Sequence, residues 1–136
     1  MGRILGVDYG AKRCGIAVTD TLKISINPLT VKKPEELLEF LQGYIDTSEV
    51  EELVIGWPTH ADGRETYLSS EIQKFLSNFT RLYPAITIVK VDEAFSSSDA
   101  RQLIWDSGAK KKKRRSKSLV DQMSAIVLIK RYLDSL

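Results

Sequence analysis

Ile4-Leu5-Gly6-Val7-Asp8-Tyr9-Gly10 decides the fold, because it has the pattern of a buried strand that ends in an acidic residue. Apolar side chains lead directly into Asp8, and Gly10 can adopt almost any backbone conformation two residues later. An ionised carboxylate beside an apolar strand loses hydration unless a partner or a metal ion replaces the water. The stretch therefore predicts a functional acid, although a D-x-G hairpin turn at Asp8 is the simpler alternative.

The composition is typical of a soluble globular protein. The chain has 136 residues, of which 43% are hydrophobic and 28% are charged, and we expect one domain that spans residues 1–136. The longest apolar run, at 125–129, is far shorter than the roughly 18 residues of a membrane span. We therefore expect a cytoplasmic protein that does not enter a membrane. The single cysteine, Cys14, excludes an internal disulfide and a thiolate metal cluster, and its apolar neighbours predict a core position.

Positive charge is concentrated between residues 110 and 117. This segment holds seven of the 20 Lys and Arg residues, so the rest of the chain has 13 basic residues against 18 acidic ones. Such a concentration favours a polyanionic partner, whose binding releases counterions; a solvated loop without a partner is the alternative. We call these residues the basic cluster: Lys110, Lys111, Lys112, Lys113, Arg114, Arg115 and Lys117.

Hydrophobic periodicity predicts the element order β-β-β-α-β-α-β-α-α. The first three strands form an antiparallel meander, and Asn27-Pro28 is expected to end the third. The final helix should turn Leu119, Met123, Ile126, Val127 and Leu133 inward, and Lys130 and Arg131 outward. Predicted strands cover 4–8, 14–19, 23–28, 52–56 and 86–91, and predicted helices cover 34–45, 68–83, 96–105 and 118–133.

Three acidic residues occupy similar places in this order. Asp8 and Glu93 follow strands, and Asp121 lies near the start of the final helix. Because parallel strands end at the same edge of a sheet, these carboxylates can share one site. Oxygen ligands suit Mg²⁺ or Mn²⁺, and two such ions about 4 Å apart would support a displacement at phosphorus. The alternatives are a capping box between Ser118 and Asp121 and an exposed charge at Glu93.

Four segments of the chain together resemble the YqgF family. They are GVDYGAKRCGIAVTD at 6–20, VIGWP at 54–58, VDEAFSSSDA at 91–100 and SLVDQMSAIVLIKRYL at 118–133. Members of this family are ribonuclease H-like proteins described as Holliday junction resolvases and as nucleases that mature the precursor of 16S ribosomal RNA. The resemblance implies an α/β ribonuclease H-like fold, with a mixed five-stranded sheet of three antiparallel and two parallel strands flanked by helices.

The resemblance also implies roles for individual residues. Asp8, Glu93 and Asp121 match the acidic positions that hold divalent metal ions and carry catalysis. Lys12 and Arg13 match a basic pair expected to bind phosphate, with the basic cluster as a further nucleic-acid contact. Ala94 departs from the family pattern, which has an arginine there. Either Arg64 or the basic residues at 110–115 would then have to replace that arginine, or the activity would be weakened.

The resemblance implies a metal-dependent endo- or exonuclease that hydrolyses phosphodiester bonds in structured RNA or branched DNA. Its expected cofactors are Mg²⁺ or Mn²⁺ ions, and its expected partners include the small-subunit ribosomal precursor. We expect a monomer or a weak homodimer. The alternative is a non-catalytic RNA- or ribosome-binding factor with the same fold. An actin-like ATPase is disfavoured, because that architecture needs two such domains around its nucleotide.

Overall fold

A computed structural model of the chain describes residues 2–58, 67–92 and 117–136. The described strands are β1 (Arg3–Tyr9), β2 (Cys14–Thr19), β3 (Ile26–Lys32), β4 (Val50–Trp57) and β5 (Thr87–Asp92). The described helices are α1 (Pro34–Thr47), α2 (Tyr67–Leu82) and α3 (Lys117–Asp134). The helix predicted at 96–105 lies outside the described residues. Within the described ranges, no helix is both long and apolar enough to cross a membrane.

The five strands form one mixed sheet in the order β3-β2-β1-β4-β5. β1 pairs antiparallel with β2, and β2 pairs antiparallel with β3, which confirms the predicted meander. β4 is parallel to β1, and β5 is parallel to β4. The carboxyl ends of β1, β4 and β5 therefore lie at the same edge of the sheet, which we call the carboxyl edge.

The alternation of side chains along β1 divides the interior into two cores. Leu5, Val7 and Tyr9 point to the larger core, which α1 and α2 cover. Ile4 belongs to the smaller core beneath α3, and Gly6 contacts the same helix. Because successive residues of a strand face opposite sides, Asp8 is on the α3 side of the sheet.

Helices α1 and α2 form as their amphipathic patterns predict. α1 begins at Pro34, whose fixed φ suits a first helical turn, and Glu35 and Glu36 lie near the positive end of the helix. The larger core also includes Cys14, which confirms its predicted position. The buried residues of the two helices are Leu37, Leu41, Ser69, Ile72, Phe75, Leu76 and Phe79.

Helix α3 lies against the backbone of β1 and β2 at two glycines. A Cβ atom added to Gly15 would lie 2.0 Å from the carbonyl oxygen of Asp121. A Cβ atom added to Gly6 would lie 2.6 Å from Cγ1 of Ile129 and 2.9 Å from the carbonyl oxygen of Ala125. No side chain fits at either position while the helix keeps its place. The two glycines therefore set the distance and the register of α3 on the sheet.

The predicted end of the third strand was wrong. Asn27-Pro28 was expected to end it, but β3 covers Ile26–Lys32 and pairs Pro28 with Ala17. β3 lies at the edge of the sheet, where the missing N–H of a proline is tolerated. A register shift between Ile16 and Ala17 accommodates the irregular pairing beside it. Because β3 lies at the edge of the sheet, the strand continues through Asn27-Pro28, where the sequence predicted a turn.

The predicted inward face of α3 was only partly correct. Val127 is buried as expected, but Met123, Ile126 and Leu133 are only half-buried, and the side chain of Leu119 is outside the description. Lys130 is exposed as predicted, whereas Arg131 is half-buried and donates a hydrogen bond to the carbonyl oxygen of Asp92 at 3.2 Å. The other buried residues of the helix are Ser124, Ala125, Leu128 and Ile129.

Replacing Gly15 by alanine should destabilise the protein, because its new methyl group would overlap the backbone of α3. We expect a loss of about 3 kcal/mol in the free energy of unfolding, as for other overpacked sites. Gly43→Ala is the matched control, since Gly43 is an exposed residue within α1 that has no atom within 4 Å of an added Cβ. That change should increase the stability by up to about 1 kcal/mol. Urea unfolding measures both, and wild-type stability in Gly15→Ala would contradict the packing described here.

Candidate active site

Asp8 is held at the carboxyl edge by the pairing of β1 with β2. It lies opposite Gly15 in the register of the two strands, between the buried residues Val7 and Tyr9. Its carboxylate is partly buried. The hairpin thus aims the acid toward α3, so that the turn and the functional acid predicted for this stretch are compatible with each other.

Asp121 reaches the same region from α3. Its backbone carbonyl rests on Gly15, the residue opposite Asp8. Its carboxylate accepts a hydrogen bond from Nε of Arg13 at 2.8 Å. α3 covers Lys117–Asp134, and the side chain of Ser118 is outside the description, so the alternative of a capping box between Ser118 and Asp121 stays a prediction. Asp121 is part of a charged group at the carboxyl edge.

The electrostatics of Asp8 show that the two acids are close enough to repel each other. Burial raises the pKa of Asp8 from 3.8 to about 7, and the negative charge of Asp121 adds to the rise. The hydroxyl of Ser124 acts in the opposite direction: it lowers the pKa of Asp8, because it favours the ionised carboxylate. A partly dehydrated carboxylate beside a second one is stabilised by a cation, because the cation offsets both the lost hydration and the repulsion.

Arg13 supplies positive charge to this site. The predicted role of Arg13 is to bind phosphate, and here its side chain pairs with Asp121. The side chains of Arg13 and Asp121 are 40% and 22% exposed, so the pair adds less than about 1 kcal/mol to stability. Lys12, the other residue of the predicted pair, is exposed in the same turn. Both cations therefore lie at the entrance to the two acids.

Gly10 closes the turn that carries these cations. A Cβ atom at Gly10 would lie 2.4 Å from the carbonyl oxygen of Arg13, so the turn itself requires glycine. The contact with Arg13 gives a sufficient local reason for glycine.

Ser124 is a polar residue of the site that sequence reasoning missed. It is 1% exposed, and its hydroxyl has no hydrogen-bond partner in the part of the chain that the structure describes. It lies close enough to Asp8 to favour the ionised carboxylate, although the geometry falls short of a hydrogen bond. Its spacing of three residues from Asp121, in an otherwise apolar segment, is the signal that could have indicated it.

The donor set suits a hard divalent cation. Asp8 and Asp121 offer carboxylate oxygens, the ligands that Mg²⁺ and Mn²⁺ prefer, and the unpartnered hydroxyl of Ser124 lies beside them. Among residues 2–58, 67–92 and 117–136, no group of three Asp, Glu, His or Cys side chains could hold a metal ion. The third predicted ligand, Glu93, lies outside the described residues, directly after β5 ends at the carboxyl edge.

The remaining predicted contacts cannot be placed. Residues 110–115 of the basic cluster lie outside the described residues, as do Arg64 and Ala94. Lys117 is the first residue of α3, and its side chain is outside the description. The structure thus brings together Asp8, Asp121 and Arg13 from the predicted set, and Lys12 is exposed in the turn that carries Arg13.

The chain is similar in sequence over nearly its whole length to several proteins. A relative from Christiangramia forsetii is 42% identical over 133 residues, which cover 98% of each chain. Another from Porphyromonas gingivalis is 42% identical over 135 residues, covering 99% of this chain and 98% of the relative. Both are named "Putative pre-16S rRNA nuclease".

The fold is similar to that of RuvC from Thermus thermophilus. The structure of that protein in complex with a Holliday junction substrate covers 99% of this chain with a TM-score of 0.58. The match includes 96% of that chain, and the sequence identity is 14%, so the likeness concerns the fold alone. It confirms the expected ribonuclease H-like fold.

The family described as "RuvX: Holliday junction resolvase" matches residues 2–135. The match spans nearly the whole chain and includes the four segments from which the resemblance was recognised. The predicted class of function, a nuclease, agrees with this description and with the names of the relatives. The chain belongs to the RuvX family of Holliday junction resolvases.

Proposed function

We propose that this protein is a divalent-metal-dependent nuclease that hydrolyses phosphodiester bonds in structured nucleic acid. The observation that carries the proposal is the convergence of Asp8 and Asp121 at the carboxyl edge, where burial and, second, the negative charge of Asp121 raise the pKa of Asp8 to about 7. A bound cation would stabilise the ionised carboxylate of Asp8 against both effects. Family membership supports the reaction class.

Asp8 and Asp121 would hold Mg²⁺ or Mn²⁺, and Glu93 would complete the ligand set. Bound metal supplies Lewis-acid stabilisation of the charge that develops on the phosphate oxygens, and we expect two ions. Asp8 must lose its proton to serve as a ligand. Because its pKa is raised, metal binding and protonation of Asp8 compete near neutral pH.

The cations at the entrance would bind the phosphate backbone. Arg13 exchanges its contact with Asp121 for a phosphate oxygen, and Lys12 adds a second charge from the same exposed turn. The basic cluster immediately precedes or begins α3 in the chain, and the helix carries Asp121. We propose that the cluster holds the substrate beside the acids.

The substrate class follows from the relatives. We propose the precursor of 16S ribosomal RNA, processed in the cytoplasm, because both relatives are named for it. A four-way DNA junction is the alternative that the family description offers. Phosphate contacts and metal chemistry carry little base information, so only a direct comparison of the two substrates distinguishes them.

Asp8→Asn should abolish cleavage, since it removes a charged metal ligand and leaves the side-chain shape nearly unchanged. A loss of several kcal/mol in transition-state stabilisation corresponds to at least about a 1,000-fold lower rate. The assay compares a four-way DNA junction and precursor 16S ribosomal RNA with Mg²⁺ or Mn²⁺. Asp46→Asn, which changes an exposed acid of α1, is the matched control and should cleave normally.

Normal turnover in Asp8→Asn would contradict the proposed chemistry. A wild-type protein that binds either nucleic acid tightly but cleaves neither, with both metals supplied, would instead support a non-catalytic binding factor. In that case, Asp8→Asn should retain the wild-type affinity.

The metal-free protein should lose stability as the pH rises from about 4 to about 7. The folded state keeps a proton on Asp8 up to a pKa of about 7, whereas the unfolded state releases it near 3.8. Because the folded state binds more protons in this window, the free energy of unfolding falls, by about 2 to 4 kcal/mol. Urea unfolding in EDTA at pH 5 and pH 8 measures this fall.

Asp8→Asn isolates the contribution of Asp8, because the amide does not titrate. The difference between the unfolding free energies of this variant and the wild type should grow with pH, and the variant should be the more stable protein at pH 8. A difference that is independent of pH would show that Asp8 titrates normally.

Lys12→Ala should weaken the binding of nucleic acid to the metal-free protein. Losing one phosphate contact should lower the slope of the logarithm of affinity against the logarithm of salt concentration by about 1. Lys74→Ala is the control, since Lys74 is an exposed lysine of α2 whose one ion pair within the described residues is with Glu71, three residues earlier, at 3.9 Å. Fluorescence anisotropy titrations at several salt concentrations measure the slopes. Equal slopes in the two variants would exclude Lys12 from the interface.

A further inference from the structure

Ser124 is the polar group of α3 that the proposed ligand set leaves without a role. It is 1% exposed, and its hydroxyl makes no hydrogen bond with any described residue. Ser69 and Thr19, the other buried serine and threonine residues of the described ranges, both make hydrogen bonds: Ser69 with the carbonyl oxygen of Pro58 and Thr19 with that of Asp20. A buried donor without a partner costs stability. A functional role at this position would explain why the serine is present.

The packing of α3 brings Ser124 to Asp8. The carbonyl of Asp121 rests on Gly15, the residue opposite Asp8, and the carbonyl of Ala125 rests on Gly6, two residues before Asp8. Ser124 lies between these two contact points, one turn after Asp121 on the same helix face. The effect of its hydroxyl on the charge of Asp8 agrees with this placement.

We propose that Ser124 is a positioning residue of the metal site. Its hydroxyl donates a hydrogen bond to one oxygen of the ionised Asp8 carboxylate and thereby directs the other oxygen toward the divalent cation. This inference rests on the proposed function, because it assigns Ser124 to the site that Asp8 and Asp121 form. A serine hydroxyl has one proton to donate, and an ionised carboxylate can only accept.

A hydrogen bond of this kind matters to metal binding more than to folding. Partners that orient a metal ligand typically contribute about 10-fold or more to the metal affinity. The same hydroxyl adds nothing to the stability of the metal-free fold while its proton has no acceptor. Alanine also favours a helix more than serine does. Ser124→Ala should therefore lower the metal affinity without lowering the stability of the metal-free protein.

The test compares Ser124→Ala, Ser69→Ala and Asp8→Asn in the full chain. Isothermal titration calorimetry with Mn²⁺ measures the affinity, and urea unfolding in EDTA measures the stability. We expect Ser124→Ala to bind Mn²⁺ about 10-fold more weakly with an unchanged or higher unfolding midpoint. Ser69→Ala loses a hydrogen bond to the carbonyl of Pro58 and should show a lower midpoint with the wild-type Mn²⁺ affinity.

Three outcomes would overturn the inference in distinguishable ways. Wild-type Mn²⁺ affinity in Ser124→Ala, together with lost affinity in Asp8→Asn, would remove Ser124 from the site and leave the proposed metal site standing. Unchanged affinity in Asp8→Asn would remove the metal site itself, and the role of Ser124 with it. A lower midpoint in Ser124→Ala with unchanged Mn²⁺ affinity would likewise make the serine structural only.

Discussion

The backbone contact of α3 with Gly6 and Gly15 is the constraint on which the site depends. Because neither residue has a Cβ atom, the helix lies directly on β1 and β2. That approach places the start of α3 beside the strand that carries Asp8. Burial raises the pKa of Asp8, and the negative charge of Asp121 adds to the rise, so packing holds this carboxylate where its charge is disfavoured. The two acids of the proposed site come from β1 and α3, and these elements approach each other most closely at this contact.

The site opposes the stability of the fold that holds it. Burial of Asp8 disfavours its charge, Asp121 adds repulsion, and the hydroxyl of Ser124 lies buried without a described partner. A substitution that removes any one of these features should increase the stability of the metal-free protein. Arg13 relieves part of the penalty from the exposed side of the site, where solvent limits what an ion pair contributes.

Much of the fold could be predicted from the sequence, because β1, β4, α1 and α2 each have a clear hydrophobic period. The end of β3 could not, since Pro28 is tolerated only at a sheet edge, and edge position is a property of the assembled sheet. The buried face of α3 could not be predicted either. The helix lies close to the sheet at two glycines, and this contact buries residues that helical periodicity alone would not place inward. Asp8 and Asp121 were found because both lie near the ends of predicted elements. Ser124 was missed because its importance comes from the lack of a partner, which only packing shows.

The ion pair between Arg13 and Asp121 joins residues that are 108 positions apart in the chain. During synthesis, the first hairpin emerges long before the helix that completes the acid pair. The strands of the meander are neighbours in sequence and can pair early, whereas the α3 contacts must wait until that helix has been made. A growing chain consequently presents Asp8 without Asp121 until the ribosome has passed α3. The order of the elements thus couples the assembly of the site to the synthesis of this helix.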